Sequence, residues 1–167
     1  MTATSIKKIS TRTIFLSGLL VGTLDILAAF ADFYISRGKN PLVILNYIAG
    51  AAVDKDTAAG TSGALIGLLF HYIIAFSFTI LFFWLYQRMN WMSRNRIITG
   101  VLYGLFIWVA VNQIILRFTH LTVAPITEID LKKAGKAVLI LICMIGLPLS
   151  FIAFNSSGGG KANRSSY

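Results

Sequence analysis

The chain has 167 residues, of which 56% are hydrophobic and 13% are charged, and its formal net charge is +9. A soluble domain normally carries about 25% charged residues, so this composition excludes an ordinary soluble domain. The basic residues are scattered, and no basic stripe is interleaved with aromatic side chains, which argues against nucleic-acid binding. We therefore expect an integral membrane protein whose surroundings are the lipid bilayer and not nucleic acid.

Four apolar segments, residues 13–35, 63–86, 97–116 and 137–154, are each close to the roughly 17 to 25 residues that a spanning helix needs. A fifth, residues 41–53, is too short to cross, and it predicts an interfacial or re-entrant helix between spans one and two. The predicted fold is therefore all-α, a polytopic four-transmembrane-helix bundle formed by residues 13–154. Residues 1–12 form an N-terminal segment, and residues 155–167 are expected to be a flexible polar tail.

The first span also has features of a secretory signal. Basic residues precede it, and the sequence Ala29-Phe30-Ala31 could mimic a cleavage site. However, Asp25 interrupts the apolar core, and the run exceeds the roughly 7 to 15 residues of a signal's hydrophobic region. We predict an uncleaved span.

The distribution of basic residues at the span ends predicts which side of the membrane holds the termini. With four spans, the N-terminus, the loop at residues 87–96 and the tail share one side. The basic residues expected there are Lys7, Lys8, Arg12, Arg88, Arg94, Arg96, Lys161 and Arg164, and those expected on the other side are Arg37, Lys39, Lys55, Arg117, Lys132, Lys133 and Lys136. Eight basic residues against seven favour the first side, which carries no acid, so we predict that both termini are cytoplasmic.

Small residues recur at steps of three or four within the spans and predict close helix packing. The stripes are Gly18, Gly22, Asp25, Ala29 and Asp32 in span one; Gly60, Gly63, Gly67, His71 and Ala75 in span two; Gly100 and Gly104 in span three; and Cys143, Gly146, Ser150 and Ala153 in span four. Small residues at this spacing let helix backbones approach closely in a membrane. These stripes are expected to face protein and not lipid.

Two ionisable residues, Asp25 and His71, lie near the middle of spans one and two. An Asp at the centre of a spanning helix costs about 2.5 to 3.5 kcal/mol on insertion scales, so such a residue usually faces protein or water. One interpretation is a proton-titrating pair or ligand site. The other is a structural bond, in which a neutral histidine donates to a carboxyl or backbone carbonyl and fixes the helix register.

Further polar residues are concentrated toward one end of the spans. Asp32, Asn112 and Arg117 are expected within roughly 10 Å of the predicted external end, counting 1.5 Å per residue. Asp32 and Arg117 could form an ion pair at the rim, and Asn112 could link helices or bind a ligand. The asymmetry predicts a water-accessible vestibule that is open outward and closed inward.

Catalytic and metal-binding motifs are missing from the sequence. Asp25, Asp32 and His71 could supply three metal ligands only if the helices happened to align, and His120 falls in a loop, which argues against a bis-histidine haem. No GxSxG, HExxH or CxxC motif is present. We predict no catalytic residue, no metal site and no cofactor.

The runs GLLVGTLDILAAF, NPLVILNYIAGAAVDKDTAAG, ALIGLLFHYIIAFSFT and TGVLYGLFIWVAVN resemble a group of short, uncharacterised four-span bacterial inner-membrane proteins. The resemblance covers residues 16–148. It implies that Asp25, His71 and Asn112 are shared polar positions, but it carries no established activity. The chain departs from that group after Asn112, where residues 114–120 bring in Arg117 and His120.

Two classes of function follow from these features. The first is a small transport, channel or proton-linked protein that uses an outward-facing polar cavity, with a second copy of the chain or another membrane protein as partner. The second is a non-catalytic structural, assembly or stress-related membrane subunit whose polar cluster only fixes helix packing. An intramembrane enzyme is a third, less favoured interpretation.

Overall fold

The computed structural model describes residues 9–114, 119 and 130–157. The α-helices are α1 (Thr11–Arg37), α2 (Leu42–Gly50), α3 (Gly60–Arg88), α4 (Arg96–Val109), α5 (Leu131–Leu141) and α6 (Leu147–Ser156). A 3₁₀ turn, Asn90–Ser93, connects α3 to α4; a π-helical turn, Ala110–Ile114, extends α4; and a second, Ile142–Gly146, joins α5 to α6. These ranges contain no strand, and the predicted all-α fold is confirmed.

Four helical stretches are long and apolar enough to cross a membrane: Thr11–Arg37, Gly60–Arg88, Arg96–Gln113 and Leu131–Ser156. Large apolar side chains point away from the bundle, among them Leu65, Leu69 and Leu139, which are 64%, 61% and 60% exposed. Contiguous exposed apolar surface of this kind is rare on soluble monomers and is expected where lipid covers the helix. The chain is an integral membrane protein with four spanning helices.

The fourth span begins earlier than the predicted residue 137. Asp130 caps α5, because its carboxylate accepts hydrogen bonds from the backbone N–H groups of Lys132 (3.0 Å) and Lys133 (3.3 Å). The helix therefore begins at Leu131 and includes the lysines that the apolar pattern leaves outside.

Pro148 explains the π-helical turn in the fourth span. Proline lacks an N–H and its ring crowds the carbonyl four residues earlier, so an uninterrupted α-helix is strained there. The backbone widens over Ile142–Gly146, immediately before the proline, which is one way that spanning helices accommodate this residue. The wider turn changes the register: Gly146 and Ser150 are buried, whereas Cys143 is exposed. The predicted small-residue stripe is wrong at Cys143.

The bundle has two ends that differ in construction. The α2 end contains the end of α1, the helix α2, the start of α3, the end of the third span and the start of α5. The opposite end contains the start of α1, the turn between α3 and α4, and the end of α6. At the α2 end, Gly38 adopts a left-handed conformation (φ 62°) and donates its N–H to the Tyr34 carbonyl, which terminates α1.

The short helix α2 packs along the first half of α3. The Asn46 Nδ2 atom donates to the carbonyls of Ala58 and Gly60, both at 2.7 Å. A Cβ atom on Gly67 would lie 1.9 Å from the Leu45 carbonyl oxygen, so only glycine permits this approach. Gly67 lies about 10 Å along α3 from its first residue, counting 1.5 Å per residue. The helix α2 therefore packs closely beside the first half of α3, as an interfacial or re-entrant element would.

An aromatic cluster closes the opposite end. Phe82, Phe83 and Tyr86 of α3 are fully buried, and the Tyr103 ring packs edge-on against Phe82 with 4.7 Å between centroids. The Tyr103 hydroxyl donates to the Phe78 carbonyl at 2.5 Å, which joins α4 to α3. Among the described residues, this half of the bundle is therefore a closely packed, mainly apolar core.

Seven of the eight glycines in the predicted stripes lie at a close contact between elements, and the prediction is wrong at Gly60, which is exposed and where an added Cβ would meet no heavy atom within 4 Å. An added Cβ would meet Phe76 at Gly18, Tyr72 at Gly22, Ala58 at Gly63, Leu45 at Gly67, Leu147 at Gly100, Ile142 at Gly104 and Gly100 at Gly146. Gly100, Gly104 and Gly146 bring α4 against the π-helical turn of the fourth span. The nearest neighbours of Gly63 and Gly67 are the connector residue Ala58 and the α2 residue Leu45.

Candidate functional site

Asp25 is the central residue of the site. It lies 14 residues after Thr11 and 12 before Arg37, or about 21 Å and about 18 Å along α1 at 1.5 Å per residue. Its side chain is half-buried. Among the described residues, the carboxylate accepts no hydrogen bond and forms no ion pair within 4.0 Å. A carboxyl group at this depth without a hydrogen bond or an ion pair is protonated, or it is in contact with water or a bound ligand.

Two adjoining cavities meet at Asp25. The first, which we name the vestibule, has a volume of about 440 Å³ and is lined by charged and polar residues that include Asp32, Ser36, Arg37, Lys133 and Lys136. The second, which we name the chamber, has a volume of about 590 Å³ and is lined mainly by apolar residues that include Phe70, Ile74, Phe78, Ile107 and Ile145. Asp25, Ala29, Ile44, Asn112 and Leu141 line both. The carboxylate thus lies at the boundary between a charged and an apolar space.

His71 reaches the chamber but bonds elsewhere. It is 8% exposed, and its Nε2 atom lies 2.8 Å from the Gly22 carbonyl oxygen, so Nε2 carries the proton and donates it across from α3 to α1. No ion pair joins His71 to Asp25 within 4.0 Å. The structure therefore brings these residues to one chamber without joining them, and the bond of His71 is to a backbone carbonyl.

Asn112 lies in the π-helical turn that extends α4. Its Nδ2 atom donates to the Trp108 carbonyl at 3.0 Å, within its own helix. The side chain lines both cavities beside Asp25. The π-helical turn places Asn112 on the cavity wall. The spacing of Asn112 from Gly100 and Gly104 in the sequence does not predict this position.

Asp32 forms an ion pair at the vestibule with Lys136 of α5. The Lys136 Nζ atom also donates to the Ser36 hydroxyl at 3.2 Å. The predicted partner, Arg117, lies outside the described residues, as does His120. Sequence reasoning missed Lys136 because it placed the start of the fourth span after this residue, and the Asp130 cap is the signal that could have corrected it.

The other cations at the vestibule are also engaged. Lys133 pairs with Asp130 at 3.2 Å, and the Arg37 guanidinium lies over the Phe33 ring, 5.1 Å from its centroid. None of these contacts neutralises Asp25.

The described residues do not form a metal site. Within residues 9–114, 119 and 130–157, no three His, Cys, Asp or Glu side chains lie close enough together to hold a metal ion, and Asp25, Asp32 and His71 do not converge.

The geometry gives the site a direction. The vestibule reaches the α2 end, whereas the chamber ends at Phe78 and Ile107, which belong to the core that includes the aromatic cluster. A carboxylate at this boundary can take up a proton from water or hold a cation. In the part of the chain that the structure describes, the site is reached from one end of the bundle.

No family model, curated protein or solved structure matches this chain. The resemblance to short four-span bacterial proteins therefore stays a prediction, and the function is argued from the site alone.

Proposed function

We propose that this chain is a small transport-type membrane protein that takes up a proton or a ligand at Asp25 through the vestibule. The observation that carries the proposal is the position of the Asp25 carboxylate, which lies near the middle of α1 on the wall of two cavities and forms no hydrogen bond and no ion pair with the described residues. A purely structural acid at this depth is expected to be paired, because an unpaired charge in a membrane interior is costly.

The closed opposite end supports gated uptake and not an open channel. The buried Phe82, Phe83 and Tyr103 rings fill the path beyond the chamber. Passage to the other side therefore requires a second conformation, in which the helices that now pack at the opposite end separate. The two π-helical turns lie beside the site on the third and fourth spans, and turns of this kind often occur at functional positions.

We further propose that the protein lies in a bacterial inner membrane with both termini in the cytoplasm. The vestibule would then open to the outside. The basic residues of the whole sequence support this orientation, because eight of them fall on the side of the termini and seven on the other. Assembly with a second copy of the chain is compatible with the exposed apolar faces and is part of the proposal.

A proton-flux assay in proteoliposomes tests the function. We expect vesicles with the native protein to acidify faster than protein-free vesicles under an imposed membrane potential, as read by an enclosed pH dye. Asp25→Asn should reduce the rate to that of protein-free vesicles, because it removes the titrating group but keeps the shape. Asp56→Asn, an exposed acid outside both cavities, is the matched control and should behave as native. Equal rates for native and Asp25→Asn protein would contradict the proposal.

A structural or assembly role is the second candidate, and the His71 bond supports it. A buried histidine that donates to a backbone carbonyl of a neighbouring helix fixes the register of α1 against α3. Under this alternative, substitutions at Asp25 and His71 lower the melting temperature in detergent, and the native protein shows no flux.

A further inference from the structure

The chamber combines apolar walls with one carboxylate, and this combination restricts the class of ligand. Its described walls include Phe70, Ile74, Phe78 and Ile107. At mid-depth, His71 donates its Nε2 hydrogen to the Gly22 carbonyl, and Asn112 donates one of its two amide hydrogens to the Trp108 carbonyl. Among the described residues, Asp25 is the acidic residue that lines both the vestibule and the chamber.

A small inorganic cation fits this chamber poorly. Such an ion needs several oxygen or nitrogen ligands to replace its hydration shell, and the described residues offer no cluster of three acidic, histidine or cysteine side chains. Most of the described wall is aliphatic or aromatic, and Tyr47, Asn112 and Thr119 are the uncharged polar residues in it besides His71. We therefore expect the bulk of a ligand that fills the chamber to be apolar.

The Asp25 carboxylate at the boundary of the chamber favours a cation over an anion in the chamber. Two of the vestibule cations are paired, Lys136 with Asp32 and Lys133 with Asp130, and Arg37 lies over Phe33 and keeps its charge. An anion that moved from the vestibule into the chamber would pass Asp25 and be repelled by it. A cation would gain the carboxylate as a partner and could also contact the faces of Phe70 and Phe78.

From this geometry we infer that the site takes a hydrophobic organic monocation, such as a protonated or quaternary amine or a phosphonium. The charged centre lies beside Asp25, and the apolar body fills the chamber. This inference rests on the proposed function, because both use the Asp25 carboxylate. It adds that the proton and the organic cation compete for the same carboxylate, so that binding of one displaces the other.

Equilibrium binding of two ions of the same shape and opposite charge tests the inference. The probes are tetraphenylphosphonium and tetraphenylborate, added to purified full-length protein in lipid nanodiscs. We expect saturable binding of the phosphonium, at least about tenfold weaker in Asp25→Asn, which corresponds to about 1.4 kcal/mol. Asp25→Glu keeps a carboxylate and should retain binding, and Asp56→Asn should bind as native. The borate should show no binding that depends on Asp25.

A chamber variant tests where the apolar body of the ligand lies. Ala51 is a small, half-buried wall residue without charge, and Ala51→Trp fills part of the chamber. We expect it to weaken phosphonium binding, and binding equal to that of the native protein would contradict a ligand seated in the chamber. Each variant is checked for a single symmetric peak in size-exclusion chromatography, and Asp25→Glu provides the folded comparison if Asp25→Asn aggregates.

The possible failures are distinguishable. Proton flux that depends on Asp25, together with phosphonium binding that is absent or equal in native and Asp25→Asn protein, would overturn the ligand class and leave the proposed function intact. Equal binding of the borate through Asp25 would also overturn the ligand class. If native and Asp25→Asn protein showed the same proton flux and the same phosphonium binding, both proposals would be overturned.

Discussion

The two halves of this bundle are built on different principles. At the opposite end, Phe82, Phe83 and Tyr86 pack against α4 and the fourth span with no exposed surface. At the α2 end, the same spans surround the vestibule and the chamber, and the helix α2 lies beside them. Helices in a membrane associate by van der Waals packing and polar contacts, so cavities between them reduce stability. We therefore interpret the cavities of the α2 end as a binding site.

The difference arises from where small residues and charges fall along the spans. Gly63 and Gly67 lie in the first half of α3 and admit α2 instead of another span. Lys133 and Lys136 lie in the first turns of α5 and keep its start at the vestibule. Gly100 and Gly146, in contrast, bring the third and fourth spans into direct contact. Closed packing and an open site thus coexist on the same four helices.

The largest expected effect is in the closed half. Phe82→Ala removes a fully buried ring and should lower the free energy of unfolding by about 3 to 5 kcal/mol. Ile80→Ala on the same helix is the control, because Ile80 is 56% exposed, and it should change stability by less than about 0.5 kcal/mol. Reversible denaturation in mixed micelles measures both. Similar losses for the two variants would mean that α3 does not bury this face.

The next effect tests the helix crossing beside the chamber. A Cβ on Gly146 would lie 2.1 Å from the Gly100 carbonyl oxygen, so Gly146→Ala should cost about 1 to 3 kcal/mol by forcing the spans apart. Gly135→Ala, in α5 with no heavy atom within 4 Å of the added Cβ, should instead stabilise by about 0.5 to 1 kcal/mol. A tolerant Gly146→Ala would contradict the close approach.

His71 tests which residue of the open half acts in transport. His71→Leu removes one buried hydrogen bond and should lower stability by about 0.5 to 1.5 kcal/mol. Because the His71 imidazole is bonded to Gly22, we expect proton flux to fall less than in Asp25→Asn. The flux assay and thermal unfolding together measure this. Complete loss of flux in a stably folded His71→Leu protein would assign the imidazole a direct role.

The smallest effect concerns the connector between α2 and α3. The Thr57 backbone N–H and hydroxyl donate to Asp54 at 3.0 and 2.8 Å, and they lower the pKa of that carboxyl from its ordinary 3.8. The stabilising contribution is present above about pH 3.8 and is lost as the pH falls through the lower, folded-state pKa. Thr57→Val should raise the Asp54 pKa toward 3.8, as an NMR titration would detect. An unchanged Asp54 pKa would show that the hydroxyl contributes nothing.

The spans and the central polar residue were predictable from the sequence, because hydrocarbon thickness fixes helix length and a buried acid stands out in an apolar run. The start of the fourth span was not, because its first turns are rich in lysine and resemble a loop in a hydropathy pattern. The Asp130 cap overrides that pattern. The pairing of Asp32 with Lys136 was missed for the same reason.

The π-helical turns limit what spacing can predict. Steps of three and four assume a uniform helix, and the turn before Pro148 breaks that assumption at Cys143. The turn at Asn112 likewise moves a polar side chain onto the cavity wall. The sequence is compatible with two interpretations of His71, a titrating pair with Asp25 or a structural hydrogen bond. The positions of α1 and α3 in the structure show a hydrogen bond from His71 to the Gly22 carbonyl.

Side-specific cysteine labelling tests the central claim most directly. Ala29 lines both cavities one turn from Asp25, and Ala29→Cys is made with Cys143→Ala so that one thiol remains. The reagent is a membrane-impermeant trimethylammonium methanethiosulfonate, Lys55→Cys marks the α2 side, and the fully buried Ala153→Cys is the negative control. The account predicts that Ala29→Cys reacts from the same side as Lys55→Cys and not from the other. A thiol that reacts from neither side, or only from the opposite side, would contradict it.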